Sequence, residues 1–100
     1  MTVEKEKSND MLTVRIYGSV DASTADDLRD TLIGELDDVC LVRFETKEMD
    51  YISSAGLRVL LEVYQTICDR DGKVVLTGAR EEVMDILEVA GFIDFLEIVD

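Results

Sequence analysis

The sequence predicts an α/β domain: a mixed, mostly parallel sheet that opens with a hairpin, with helices packed on the sheet. Three observations carry that reading. Apolar residues change period along the chain, recurring every second residue in Leu12, Val14 and Ile16 and every third or fourth in Ala25, Leu28, Leu32 and Leu36. After a first turn cluster, Ser8-Asn9-Asp10, strand and helix patterns alternate regularly, which implies parallel strands joined by crossover helices. There is no proline, repeat, low-complexity tract or linker composition, so residues 1–100 read as one domain.

Each element has its own reason. Val3 to Lys7 alternates weakly and reads as a short edge strand whose lysines blunt the edge. Leu12, Val14 and Ile16 alternate with Thr13, Arg15 and Tyr17, giving a half-buried strand closed by Gly18. In the next loop Ser23 or Thr24 can cap a helix whose first turn holds Asp26 and Asp27. Val39-Cys40-Leu41-Val42-Arg43-Phe44 is nearly continuous in apolar residues and reads as a central strand covered on both faces, followed by a polar stretch from Glu45 to Asp50. The second helix starts near Ala55 and carries Leu57, Leu60, Leu61, Tyr64 and Cys68 on one stripe, with Val59, Val63 and Ile67 beside it. Asp71-Gly72 stops it. Lys73–Thr77 is the next strand, and the third helix buries Val83, Ile86, Leu87 and Ala90 before Gly91. Phe95–Val99 reads as the last strand. Leu28, Leu32, Leu60, Tyr64, Val83 and Leu87 are the helical residues expected in the core.

Charge narrows the function. Asp and Glu number 23 against 10 Lys and Arg, a formal net charge of −13. Nucleic acid is therefore excluded as a partner, since Lys and Arg must neutralise its phosphates, and anionic membrane surfaces are disfavoured for the same reason. No run approaches the roughly 18 apolar residues that span a bilayer, and the charged N-terminus does not resemble a secretory signal. A cytoplasmic protein follows. Cys40 and Cys68 have no histidine near them, so metal ligation is not expected and both read as small core residues.

Catalytic signatures are missing. Without histidine there is no Ser-His-acid triad, and neither Gly-x-Ser-x-Gly nor a glycine-rich phosphate loop occurs. What stands out is Asp50-Tyr51-Ile52-Ser53-Ser54-Ala55-Gly56-Leu57, two adjacent hydroxyls at a helix start. There, unpaired N–H groups and a partial positive charge accept an anion or a capping oxygen. The simplest reading is that one serine caps the helix. Loops at the carboxyl ends of parallel strands are where function gathers, so Asp21 and the serine pair are expected on one edge of the domain. A serine unable to attack can still be modified.

Three motifs, in order and spacing, resemble a family. Gly18-x-Val20-Asp21 precedes an amphipathic helix, Tyr51-Ile52-Ser53-Ser54-Ala55-Gly56-Leu57 starts another, and Val89-Ala90-Gly91-Phe92 leads into the last strand. Together they resemble the STAS domain, in particular the stand-alone bacterial anti-sigma factor antagonists, over nearly the whole chain. In that family the acidic residue before the modified serine is common. Here Ser53 occupies the acidic position and Ala55 the second hydroxyl position, and the resemblance implies Ser54 as the phosphorylation site. It implies a partner-binding surface of Asp21, Ser23, Thr24, Ser53, Ser54, Gly56 and Arg58. The implied partners are an anti-sigma factor that is itself a serine protein kinase, and a serine phosphatase. No cofactor or catalytic activity is implied, and the output is control of sigma-factor-dependent transcription. Family members often carry a further C-terminal helix, so with the sequence ending at Asp100 the outer face at that end of the sheet is expected to be less covered. Two other uses of the same fold are an interaction module in a membrane-transport or signalling complex, with Ser54 a plain cap, and a small-anion binder.

Overall fold

The computed structural model describes residues 1–99, so Asp100, the last residue of the predicted domain, lies outside the described residues. Five strands form one sheet in sequential order: β1 (Thr2–Ser8), β2 (Met11–Val20), β3 (Leu41–Ile52), β4 (Lys73–Thr77) and β5 (Glu97–Val99). The β1–β2 hairpin is antiparallel and every later pairing is parallel, as the hairpin and alternation signals predict. The helices α1 (Ala25–Ile33), α2 (Ser54–Cys68) and α3 (Glu81–Val89) are the crossovers.

The expectation that the central strand is covered on both faces is wrong, and topology explains why. Each parallel crossover advances the sheet by one strand in the same direction. Connections of one hand then all pass over one face, and without a reversal of strand order nothing returns to cover the other. The covered face buries Leu12, Val14, Ile16, Val42, Phe44, Val74 and Leu76. The open face carries a polar lattice. Arg15 donates from Nε to Glu45 Oε1 at 2.8 Å and from Nη1 to Glu6 Oε1 at 3.3 Å, while the Tyr17 hydroxyl donates to Glu4 at 2.6 Å.

That wet face also lets β3 run much further than its apolar segment. The strand begins at Leu41 and continues through the polar stretch to Ile52, twelve residues in all. Its register against β2 shifts between Arg15 and Tyr17 and again between Gly18 and Ser19, each time with one extra residue on β3. The inward residues are consequently Thr46, Met49 and Ile52, spaced by three, which hides the strand from a period-two search.

Core residues behave largely as expected. Leu28, Leu32, Leu60, Val83 and Leu87 are buried, while Tyr64 is half-buried and tilts against Phe95. Other expectations fail locally. Cys40 is exposed and Cys68 half-buried, because β3 starts after Cys40 and α2 ends at Cys68. Leu36 is buried, but beyond the end of α1, in a loop whose Leu36, Asp37 and Val39 carbonyls accept from Arg70. Ala90 is exposed because α3 stops at Val89, and Gly91 takes the left-handed conformation (φ 81°) that turns the chain. Phe92–Asp94 is a 3₁₀ turn, which shortens the last strand to Glu97–Val99.

Candidate functional site

The strands β2 and β3 stop level with each other. Val20 and Ile52 are the last register pair, and the Ser53 N–H donates to the Val20 carbonyl at 2.8 Å. The loops leading into α1 and α2 therefore leave the sheet side by side, which brings Asp21, Ser23 and Thr24 to the same edge as Ser53 and Ser54.

In the first loop the polar groups satisfy one another. Asp21 Oδ1 accepts from the Ser23 hydroxyl at 2.6 Å, the Ser23 N–H at 2.9 Å and the Thr24 N–H at 3.1 Å. Thr24 Oγ1 in turn accepts from the Asp21 N–H at 2.9 Å. Thr24 stands at the N-cap position of α1, yet its side chain makes no capping bond to the helix. Neither Ser23 nor Thr24 caps as expected, because both are engaged with Asp21. The Ser23 hydroxyl and then its N–H, followed by the weaker Thr24 contacts, hold the Asp21 carboxyl below the ordinary carboxylate range.

The second loop divides its two hydroxyls. Ser53 is extended (φ −84°, ψ 173°) and is the N-cap of α2, its Oγ accepting from the Gly56 N–H at 3.2 Å. Ser54 is the first residue of the helix and is exposed, and its hydroxyl has no hydrogen-bond partner among the described residues. The first turn of α2 contains no acidic residue, whereas those of α1 and α3 hold Asp26 with Asp27 and Glu81 with Glu82. The partial positive charge at the start of α2 is left without a carboxylate of its own.

Gly56 sets the approach of this helix. A Cβ there would lie 2.7 Å from Ile52 Cγ1 and 2.8 Å from Val20 Cγ1. Only glycine lets α2 close onto the ends of both strands. Gly56 is thus buried and shapes the site from beneath, while Arg58 is exposed one turn beyond Ser54. Arg58 lies at a small groove between α1 and α2, beside the bidentate Arg29–Glu62 pair at 2.7 and 2.9 Å.

Two features escape sequence reasoning. Arg80, at the N-cap of α3, donates to the Lys47 carbonyl at 2.8 Å and to Asp50 at 2.6 Å, so it ties down the bulged end of β3 and compensates Asp50. Its only trace in the sequence is a lone cation in front of an acidic helix start. The other is a cleft of about 410 Å³ between α2 and α3, with Ser54 in its wall beside Tyr51, Leu57, Ile86 and Val89.

Comparison with known proteins agrees with this geometry. The STAS domain family matches residues 2–100. A Bordetella bronchiseptica protein named as a candidate anti-sigma factor antagonist, BtrV, is 30% identical over 99 residues, covering 98% of this chain and 85% of its own. The anti-sigma-B factor antagonist of Listeria monocytogenes is 26% identical over 95 residues, covering 94% of this chain and 83% of its own. Among solved structures, the anti-sigma factor antagonist SpoIIAA of Bacillus shares the fold in its unphosphorylated form (TM-score 0.79, 16% identity, 99% of this chain and 88% of its own). Its phosphorylated form matches equally well, with a TM-score of 0.78 at 12% identity over 99% of this chain and 92% of its own.

Proposed function

The chain belongs to the STAS domain family, and on that premise we propose that it is an anti-sigma factor antagonist switched by phosphorylation of Ser54. Unphosphorylated, it binds an anti-sigma factor that is also a serine kinase, which frees a sigma factor for transcription. Phosphate transfer to the Ser54 hydroxyl ends that association, and a serine phosphatase restores the first state. The chain is ligand and substrate in this cycle, in the cytoplasm, and catalyses no step of it.

The observation that carries the proposal is the division of labour between the two serines. The Ser53 hydroxyl caps the helix, and Ser54 is exposed with its hydroxyl unengaged among the described residues. A kinase reaching this loop meets one free nucleophile. The docking surface then comprises Ser53, Ser54 and Arg58 with Asp21, Ser23 and Thr24 beside them, and Gly56 supports it from below.

Position, not global charge, makes the switch. A phosphoryl group adds roughly −1.5 to −2 to a chain already at −13. On the free protein it sits at a helix N-terminus, where it is neutral to favourable by about 0.3–1 kcal/mol. Asp50 is already compensated by Arg80 and offsets little of that gain. In the complex the group must be dehydrated without a built-in partner, at a cost of about 2–5 kcal/mol. SpoIIAA itself has been solved in both phosphorylation states, which accords with a modification that alters docking without unfolding the domain. The test is to measure affinity for an anti-sigma factor kinase before and after Ser54 phosphorylation. Expected is a loss of roughly 30- to several thousand-fold; equal affinities would overturn the proposal.

A further inference from the structure

The cleft beside Ser54 has chemistry of its own. Its wall joins the end of β3, the start of α2 and the outer side of α3. Val89 is 91% exposed and Tyr51 48% exposed. Together with half-buried Ile86 and exposed Ala90 they form one contiguous apolar patch. Isolated exposed apolar residues are ordinary, but a contiguous group lining a depression marks an interaction site. The contrast with the rest of α3 is sharp: its other outward residues are Glu81, Glu82, Asp85 and Glu88, all exposed.

The charge around the patch selects what covers it. Between Glu81 and Asp100 the sequence holds seven acidic residues and no Lys or Arg. Asp85 lines the cleft, and Glu82, one turn before Ile86, lies on the same side of α3. Neither carboxylate enters an ion pair among the described residues. A second copy of the chain, also at −13, would bring like charges together at this patch.

We infer that the cleft formed by Tyr51, Leu57, Ile86 and Val89 seats a basic-apolar segment of the protein partner, one or two large apolar side chains flanked by Lys or Arg. The apolar side chains enter the cleft, and the cations pair with Asp85 and Glu82 at its α3 side. The inference rests on the reading that a protein docks over Ser54, and it explains how one phosphate could gate a wider contact. Ser54 is in the cleft wall together with Asp85 and the apolar residues, so a phosphoryl group on it would add charge at the rim of the same cleft.

The probe is a synthetic 16-residue peptide carrying a Leu pair flanked by Lys, titrated into the isotope-labelled full chain. Two control peptides replace Leu by Ser and Lys by Glu. Amide shifts are expected to centre on Tyr51, Ser54, Leu57, Ile86 and Val89, and both controls should lose most of the binding. Val89→Asp should weaken binding by about tenfold or more, the loss expected of an anchor contact, while its spectrum and melting stay close to wild type because residue 89 is solvent-facing. Asp85→Lys should weaken binding and flatten its salt dependence. Shifts scattered over the whole acidic surface, with Val89→Asp binding as wild type, would overturn the inference. So would self-association of the wild type that Val89→Asp abolishes, since a second copy would then be the occupant. The outcome is separable from the Ser54 switch. Shifts centred on the cleft with no kinase able to modify Ser54 would uphold the cleft and defeat the switch, and Ser54 labelling with scattered peptide shifts would do the reverse.

Discussion

The loops entering α1 and α2 leave the sheet side by side, one backbone hydrogen bond apart, and both are built of small polar residues. In the first, Asp21 gathers the hydroxyl and N–H of Ser23 and the N–H of Thr24, so its polar groups are engaged with one another. In the second there is no carboxylate at the equivalent place. Ser53 performs the capping alone, and the next hydroxyl is left over. The difference teaches that availability for modification depends on who satisfies the helix start. At the start of α2 the cap is already taken by Ser53, and the Ser54 hydroxyl is left unengaged among the described residues.

The largest expected effect separates the loops by function. Ser54→Asp should weaken docking to the anti-sigma factor by about 2–5 kcal/mol while melting within a few degrees of wild type. Ser23→Asp should instead perturb the loop around Asp21 and lower melting, because it places a second carboxylate against the first. Calorimetric titration and thermal melts of both variants check this. Gly56→Ala should destabilise by about 1–3 kcal/mol, since the added methyl overlaps Ile52 and Val20 on a covered face. Urea unfolding reads it directly, and a neutral result would mean that α2 can lift off the strand ends at no cost.

Smaller effects sharpen the contrast in capping. Ser53→Ala should cost about 1 kcal/mol yet leave Ser54 a kinase substrate. Thr24→Ala should cost less, because Thr24 makes no side-chain bond to α1. The smallest effect concerns pH. The folded Asp21 carboxyl lies below its ordinary value, first through the Ser23 hydroxyl. Its contribution to stability is therefore fully present above the unfolded carboxyl's pKa and is lost as pH falls through the lower folded value. A carboxyl NMR titration should show Asp21 below the ordinary range, and Ser23→Ala should move it back toward that range.

Much of this was legible in the sequence where a residue's neighbours along the chain decide its fate. The hairpin, the alternation, the helix stripes and the serine pair at a helix start all depend on local patterning. The open sheet face was not legible from the run Val39–Phe44, because whether a strand is covered once or twice depends on the order in which strands assemble. Arg43, exposed within that run, is a local sign of it. The length of β3 was hidden by its two register shifts, which replace a period of two by three. Which serine caps was also undecided. Both are good caps, and the choice follows from Ser53 N–H bonding to Val20 and Gly56 admitting α2 against the strands. Arg80, which anchors Asp50 and the Lys47 carbonyl across some thirty residues of chain, has no local pattern to reveal it.

The most direct test of the central claim, that Ser53 caps and Ser54 switches, is phosphosite mapping by mass spectrometry after incubation with the partner kinase. Wild type, Ser53→Ala and Ser54→Ala are compared. The account predicts one phosphate on Ser54 in the first two proteins and none in Ser54→Ala, which should still bind the unmodified chain's partner. Phosphate on Ser53 or Ser23, or undiminished labelling of Ser54→Ala, would contradict it.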